Sequence, residues 1–473
     1  MYQHVLCVYP YRIGLKRFKF CPPSGIEYIG TVVEPHAQDL EILDLRKEPA
    51  RTIDYLRPET DMVCFSINWQ RDIEFLQAEI RSVPTNIFTI LGGQQVTVDP
   101  ESWLAALPNV NAVVRGEGEE IMEDLCRGVA LENIAGLSFR RGTDIYHNSS
   151  RRLAPLSDRL YPNRSLRRYS YELEISGFKT GIEFDILSAS RGCPFNCTFC
   201  SFNRNPWGQK RNWSGRSPES VVEELGLIKA SFVAFADELF TYDMDWVERI
   251  CDLILARGIR KKYIVNARLE IARRPDVIRK MEQAGFAILM LGVESAQDKT
   301  LRSMRKGFNT AKIREYFDVL RDRPIILHGY FILGNIGESV QEMKQIVPFA
   351  RELGLDTLNL CMLHNLPYSG IADLVAQNPD YHIAPNGKVY SDHCSIKELK
   401  RLRGTLFKEF YTKRQMLHIM NKAKKNGFFK FFPQLLLKMP QFASSIQKLF
   451  VPTPKSEKIR QAGQPAPYSP SPK

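Results

Sequence analysis

The sequence predicts an α/β chain in three parts: an amino-terminal doubly wound, Rossmann-like sheet, a partial (β/α)6 barrel and a helical carboxy-terminal region. Three observations predict it. Five short apolar runs alternate with helical patterns in the first third, six strand-then-helix units follow, and the last part interleaves Lys and Arg with apolar residues. A chain of 473 residues exceeds one hydrophobic core, so several domains are expected, with divisions at 1–135, 136–175, 176–375, 376–450 and 451–473.

The early runs are His4 to Tyr9, Leu40 to Leu45, Met62 to Ile67, Ile87 to Leu91 and Ala112 to Val114. Ligands of doubly wound sheets lie at the carboxyl ends of the strands. Those ends carry Ser66-Ile-Asn68, Gly92-Gly-Gln-Gln-Val-Thr97 and Arg115-Gly-Glu-Gly-Glu119, so Ser66, Gly92, Gly93, Gln94, Thr97, Gly116, Glu117 and Gly118 are the candidate binding residues. Paired glycines let the backbone approach a large flat ligand, although tight turns after strands also use them. Gly136 to Asn148 reads as a hairpin, and the polar, Arg-rich stretch Ser149 to Tyr171 joins it as a connection between domains.

Ten cysteines show no paired framework, but Cys193, Cys197 and Cys200 fall within eight residues, which in a reducing compartment points to metal. The other seven (Cys7, Cys21, Cys64, Cys126, Cys251, Cys361, Cys394) are expected to pack as small apolar side chains. The three follow a strand, Glu183 to Leu187, in Ser188-Ala-Ser-Arg-Gly-Cys-Pro-Phe-Asn-Cys-Thr-Phe-Cys200. A loop this short can curl three soft thiolates around one face of an iron–sulfur cubane, leaving one iron open. A zinc site would want a fourth Cys or His in suitable spacing, and none is near.

Five further strands follow: Phe232 to Ala236, Tyr263 to Ala267, Ala287 to Gly292, Ile325 to Leu333 and Thr357 to Met362. Ser217-Pro218 starts a helix, and Gly285 ends the one that begins near Pro275. Polar residues cluster at the carboxyl ends of these strands, where parallel barrels place their chemistry.

The cysteine run, with Phe199 before its last Cys, resembles the hallmark of the radical S-adenosylmethionine superfamily. Pro22-Pro-Ser-Gly-Ile-Glu-Tyr-Ile29, Leu91-Gly-Gly-Gln-Gln-Val-Thr97 and Val114-Arg-Gly-Glu-Gly-Glu-Glu120 resemble the cobalamin-binding domain fused to many of its members. The resemblance implies a 4Fe-4S cluster on Cys193, Cys197 and Cys200, S-adenosylmethionine bound at the open iron, and cobalamin, as methylcobalamin, on the first domain. It assigns Asp237 and Glu238 to the methionine amino group, Glu294 and Ser295 to the ribose, and the stretch Gly329 to Gly334, followed by Glu338, to the adenine. Phe199 and Arg268 are counted with these contacts, Arg268 as a candidate for a carboxylate. Leu366-Pro-Tyr-Ser-Gly370 resembles a Pro-Tyr-Pro-Gly stretch of the fused group, with Ser369 in place of the second proline. One departure is the absence of an Asp-x-His-x-x-Gly motif, so cobalamin would be bound without a histidine on cobalt.

The implied activity is radical C-methylation, and the substrate expected is a polycyclic isoprenoid lipid such as a hopanoid, with general likeness to hopanoid methylases, including the C-3 methylase. A cyclase or rearrangement enzyme of the same fold is the alternative. An RNA methylthiotransferase would need three further grouped cysteines in the first domain and a terminal β-barrel; no nucleic-acid partner is expected. A flavodoxin or ferredoxin would donate the electron.

Charged residues at 25% and hydrophobic ones at 44% are ordinary for a soluble protein, and no apolar run of about 18 residues is present to span a bilayer. Met1 to Tyr11 reads as a strand rather than a leader, and a cytoplasmic location is expected. The net charge of +12 concentrates from Lys397 onward, as in Asn426-Gly-Phe-Phe-Lys-Phe-Phe-Pro-Gln-Leu-Leu-Leu-Lys-Met439. That composition suits peripheral contact with a membrane, or equally a terminal helix packed on the barrel with a solvated basic face. Val451 to Lys473 is expected to be disordered.

Overall fold

The computed structural model describes residues 1–12, 19–69, 72–175, 178–204, 208–433 and 435. Two compact units result: Met1–Glu174 with Gly181–Pro194 and Phe202–Glu238, and Ile175–Thr180 with Phe195–Ser201 and the chain from Leu239 on.

In the first unit, strands β1 (Tyr2–Tyr9), β2 (Ala37–Asp44), β3 (Thr60–Ser66), β4 (Phe88–Gly92) and β5 (Ala112–Val114) run parallel in the order β2-β1-β3-β4-β5. Helices α1 (Ser24–Val33), α2 (Ile73–Arg81), α3 (Gln94–Val98), α4 (Pro100–Ala106) and α5 (Glu119–Cys126) connect and cover them. Parallel strands covered on both faces read as unbroken apolar runs, and Val5, Leu6, Cys7 and Val8 are all fully buried. Each such Val or Leu contributes roughly 1.5–3 kcal/mol.

The 136–148 hairpin, read from sequence as part of a connection, is instead built into this sheet. Its strands β6 (Leu137–Arg141) and β7 (Asp144–His147) add two antiparallel strands beyond β5, with Ala112 opposite Phe139. Leu137 and Phe139 are buried there, so the hairpin's apolar face has a core to join. The Arg-rich stretch that follows β7 is likewise packed. Arg167 donates from Nε and Nη2 to both oxygens of buried Glu27 at 2.7 Å, and from Nη1 and Nη2 to Asp185 at 2.8 Å. Arg164 spans Asp185 and Glu224, each at 2.8 Å.

The first unit also holds β8 (Glu172–Ile175) in part and most of β9 (Phe178–Leu187), followed by β10 (Ser190–Arg191), β11 (Ser214–Gly215), α6 (Pro218–Leu227) and β12 (Phe232–Phe235), which runs parallel to β9. Ser217 caps α6, accepting from the Ser220 amide at 3.3 Å, with Pro218 in its first turn.

The second unit continues strand then helix: α7 (Met244–Ala256), β13 (Lys262–Ala267), α8 (Pro275–Ala284), β14 (Phe286–Glu294), α9 (Asp298–Ser303), α10 (Thr310–Leu320), β15 (Ile326–Leu333), α11 (Val340–Lys344), α12 (Ile346–Glu352) and β16 (Thr357–Met362). Strands β13 to β16 lie parallel in sequence order. The chain is thus α/β, with the doubly wound sheet followed by the strand–helix units of the partial barrel. After α13 (Ile371–Ala376), the region expected to be helical from 376 to 450 begins instead with a short antiparallel pair, β17 (Tyr381–Ile383) and β18 (Val389–Ser391), and continues as helices α14 (Ile396–Phe410), α15 (Lys413–Lys425) and α16 (Phe428–Phe431); its residues 436–450 lie outside the described residues. The expected tail, Val451 to Lys473, lies outside the described residues.

All ten cysteines are free. Cys7, Cys64, Cys251 and Cys394 are buried as expected; Cys361, near the end of β16, is exposed, which corrects the apolar-packing reading for that residue. Among the described residues no helix is long and apolar enough to cross a membrane.

Candidate functional site

Within the first unit, the carboxyl ends of β3, β4 and β5 open into a cleft whose lining includes Ser66, Asn68, Gly92, Gly93, Gln94, Gly116, Glu117 and Gly118. Its floor is set by backbone contacts. The Ile67 amide donates to Gly92 O at 2.7 Å and the Gln95 amide to Ile67 O at 3.0 Å, so the chain after β4 doubles back against the end of β3. Gly93 makes that fold possible: its φ is +105°, and a Cβ there would stand 2.6 Å from Ile67 O. Asn68 braces the rim by donating to Ser66 Oγ at 3.0 Å and accepting from the Gln94 amide at 3.2 Å.

Thr97 is buried and does not line the cleft. Its hydroxyl donates to Gly93 O at 2.9 Å and accepts from the Gly116 amide at 3.2 Å, tying the β4 and β5 loops together. A bare, open cleft with polar rims fits a broad flat macrocycle, and no histidine lines it among the described residues. The chemistry of the donor set therefore agrees with the missing histidine motif. Replacing Gly93 by Ala is expected to lower bound corrinoid by at least about tenfold while leaving iron content unchanged, because a Cβ must displace the backbone that shapes the floor. Absorption spectroscopy with iron analysis checks it.

Residues that sequence reading passed over complete this cleft, Arg191, Gly192, Phe202, Arg204 and Arg211, together with Glu238, which it had placed at the methionine amino group. Arg191 bonds Glu119 at 2.5 Å and stacks 5.4 Å over the Tyr28 ring, and Arg211 lies 3.2 Å from Glu117. Burial pushes the Glu117 carboxyl up against the pull of both arginines, whereas for Glu119 Arg191 outweighs burial and holds it below the usual range. The glutamates of Arg115-Gly-Glu-Gly-Glu119 are therefore cross-linked to the loop that carries Cys193.

That loop is held by short antiparallel pairing of β10 with β11 and by the Cys193 amide donating to Arg211 O at 3.2 Å. Gly192, with φ +86°, sits where a Cβ would meet Asn212 O at 2.6 Å. Asp237 is fully buried and both its oxygens are used: it accepts from the Ala189 amide at 2.9 Å and Ser190 Oγ at 2.5 Å. Burial pushes its carboxyl up to about 7. The structure thus gives Asp237 a bracing contact under the loop and leaves Glu238 in the cleft lining, where its Oε2 accepts from the Gly192 amide at 2.9 Å.

Cys193, Cys197 and Cys200 are half-buried free thiols. The turn between the last two is closed by the Cys200 amide donating to Cys197 O at 3.1 Å. In the second unit, the Thr198 amide donates to Met304 O at 3.1 Å, and Thr198 O accepts from the Gly370 amide at 2.8 Å. The Leu366–Gly370 turn therefore supports the cysteine run. Phe199 packs against the apolar group Met304, Ile332, Leu363, Ile371 and Val389.

The strand ends of this unit bring further candidates together. Glu294 closes β14 with φ +72°, a conformation costing a non-glycine residue about 1–3 kcal/mol and typical of functional positions. Its carboxylate is paired with Lys306 Nζ at 2.8 Å. Arg268 donates to Lys306 O at 2.7 Å and lies 3.7 Å over the Phe195 ring, with Glu270 as its ion-pair partner. Ser295 is fully buried and gives its hydroxyl to Glu338 at 2.8 Å, while Asn335 Nδ2 donates to the other Glu338 oxygen at 2.8 Å. Gly334 has its amide directed at Met343 Sδ, 3.2 Å away.

Burial raises the Glu338 carboxyl to about 7 despite these donors. A raised folded-state pKa contributes stability that is complete below the ordinary value of 4.5 and is lost as pH rises to about 7. Glu338→Gln is expected to abolish that dependence, so the stability difference between variant and parent, read from urea midpoints, should change across this window and level off above it.

Between the strand ends, the side of β13–β16 that the helices leave open presents rows of side chains in register. Asn266, Met290, His328 and Thr357 form one row, and Gly292, Tyr330 and Asn359 the next. His328 Nδ1 is 2.8 Å from Thr357 Oγ1, and burial lowers its pKa to about 4, so the ring is neutral. Neither row carries a permanent charge.

The comparisons agree with this geometry. Residues 187–369 match the radical SAM superfamily and residues 13–126 the B12 binding domain. An uncharacterized methyltransferase of Pyrococcus horikoshii is 25% identical over 88% of this chain and 89% of its own length. The anaerobic magnesium-protoporphyrin IX monomethyl ester cyclase of Cereibacter sphaeroides is 25% identical over 73% of this chain and 58% of its own, and the hopanoid C-3 methylase of Methylococcus capsulatus 27% over 67% and 62%. The chain thus spans about three-fifths of the length of those two. Among solved structures, the radical S-adenosylmethionine methyltransferase TsrM of Kitasatospora setae, with cobalamin and a [4Fe-4S] cluster bound, shares the fold with a TM-score of 0.64 at 15% identity, covering 81% of this chain and 80% of that one.

Proposed function

Because the chain belongs to the cobalamin-binding radical S-adenosylmethionine family, we propose that it is a C-methyltransferase acting on an unactivated carbon of an uncharged, mainly apolar substrate, a polycyclic isoprenoid such as a hopanoid. The observation that carries the substrate class is the pair of uncharged rows on β13–β16, where His328 is neutral and Met290 and Tyr330 supply apolar surface. A charged substrate group would be desolvated against this face without a counter-ion, which is costly.

Cys193, Cys197 and Cys200 would hold the cluster, Glu238, Glu294, Arg268, Phe199 and Gly334 would contact S-adenosylmethionine, and Ser66, Gly92, Gly93, Gln94, Gly116, Glu117 and Gly118 would bind cobalamin. Asp237, Ser295 and Thr97 would position their neighbours. Bound there, the cluster and S-adenosylmethionine supply one-electron reductive chemistry that yields a carbon-centred radical, and cobalamin supplies a transferable methyl group. The protein's own work is orientation and exclusion of water: Asp237 and Gly192 fix the cysteine loop, the Lys306–Glu294 pair fixes a strand end, and the uncharged rows of β13–β16 would hold the reacting carbon. A flavodoxin or ferredoxin is the proposed electron donor.

Anaerobic incubation with a hopanoid, a reductant and S-adenosylmethionine labelled in its methyl group tests the reading. A hopanoid carrying the label is the expected product. Oxidative ring formation on a tetrapyrrole without methyl gain would move the chain to the cyclase reading.

A further inference from the structure

We propose that the outer face of α15 binds the surface of an anionic lipid bilayer. The proposal stands independently of which substrate is methylated.

Helix α15 has two faces of different character. Its inner face is tied to the barrel: Gln415 Nε2 donates to Leu355 O at 3.0 Å and Asp356 O at 2.8 Å, His418 and Lys422 bond Asp356 at 2.9 and 2.7 Å, and Ile419 and Ala423 are buried. Asp356 is thereby paired twice over. The outer face presents Arg414, Leu417, Asn421, Lys424 and Lys425 at helical spacing, with Lys413 at its start. None of these cations is ion-paired among the described residues. Leu417 is 61% exposed in their midst, so this face pairs cations with an apolar side chain.

The sequence carries the same signal. From Phe410 to Ser456 it holds nine Lys and Arg and not one Asp or Glu, so this segment supplies nine of the chain's net +12. The positive charge is a local device, not a diffuse property of the surface. The segment also carries Leu435-Leu-Leu-Lys-Met439, Phe442, Ile446 and Leu449-Phe450. Cations beside apolar side chains, with long aliphatic stems between them, match the boundary of headgroups and acyl chains. An acidic protein or a nucleic acid would account for the charge but not for the apolar residues.

The test uses the loaded, full-length enzyme in co-sedimentation with vesicles of phosphatidylcholine alone and of phosphatidylcholine with phosphatidylglycerol, at low and raised salt. Binding to the anionic vesicles, weakened by salt, is expected. The triple variant Arg414→Glu, Lys424→Glu, Lys425→Glu should lower that partition by about 100-fold or more, since each basic residue near the surface contributes about fivefold. Leu417→Ser should lower it severalfold and leave the salt dependence in place. All four residues are exposed, so thermal midpoint, iron and corrinoid content and 5'-deoxyadenosine formation should stay at parental levels, which separates failure here from failure of the methyltransferase reading. Absence of binding to anionic vesicles overturns the proposal, as does equal binding by the triple variant. Capture of RNA or of an acidic protein through the same residues, without vesicle binding, overturns it in favour of that partner.

Discussion

Replacing Cys193, Cys197 or Cys200 by Ala, singly, is expected to take iron from about four per chain to near zero and to abolish 5'-deoxyadenosine formation. Three thiolates for four irons leave no redundancy, because each lost ligand exposes a second iron. The fold should survive each change. The cysteine run is held by backbone contacts that no thiol takes part in: β10 with β11, the Cys193 amide on Arg211 O and the Thr198 amide on Met304 O. Far-ultraviolet circular dichroism should therefore match the parent while iron is lost. A variant that kept its iron would exclude that residue as a ligand.

Arg167→Ala is expected to cost about 3–5 kcal/mol of stability, because it strands buried Glu27 and leaves Asp185 with Arg164 as its remaining arginine. Glu27 and Asp185 are 1% and 4% exposed, and Arg167 satisfies both with a planar fork. Arg167→Lys should recover only part of the loss, since a point charge cannot reproduce bidentate bonding to two partners. The double variant Arg167→Ala with Glu27→Gln should lose less than the two singles together, because one stranded charge has been removed. Urea unfolding reads all three, and a loss under about 1 kcal/mol for Arg167→Ala would show that the network is dispensable.

The cysteine run and Arg167 mark what a sequence discloses and what it does not. The cysteines were legible because the proposed site is local: three thiols within eight residues point to metal without any help from the fold. The strands were legible for a similar reason, as parallel strands buried on both faces leave unbroken apolar runs such as Met62 to Ile67. Arg167 was not, since its partners Glu27 and Asp185 lie far apart in the chain and nothing local distinguishes it from a solvated arginine. The same holds for Arg191 and Arg211, whose carboxylate partners Glu119 and Glu117 precede them by about a hundred residues or less. Asp237 shows a subtler limit. Its place after a barrel strand suggested a ligand contact, but burial and two hydrogen bonds make it a brace, and only the neighbouring Glu238 reaches the cleft. A hint for Arg191 was present in its position two residues before Cys193. For the hairpin at β6 and β7, alternation in Leu137 and Phe139 gave the strands but not the sheet they would join.

The central claim is that one chain combines a cysteine-bound cluster with a corrinoid cleft. Anaerobic isolation with cobalamin supplied, followed by iron and corrinoid analysis and a reductant-dependent assay for 5'-deoxyadenosine, tests it most directly. About four irons and one corrinoid per chain, with deoxyadenosine formed, are expected. A preparation that holds iron but no corrinoid, under conditions where the Gly93 backbone is unaltered, would contradict the account of the cleft, and one without iron would contradict the account as a whole.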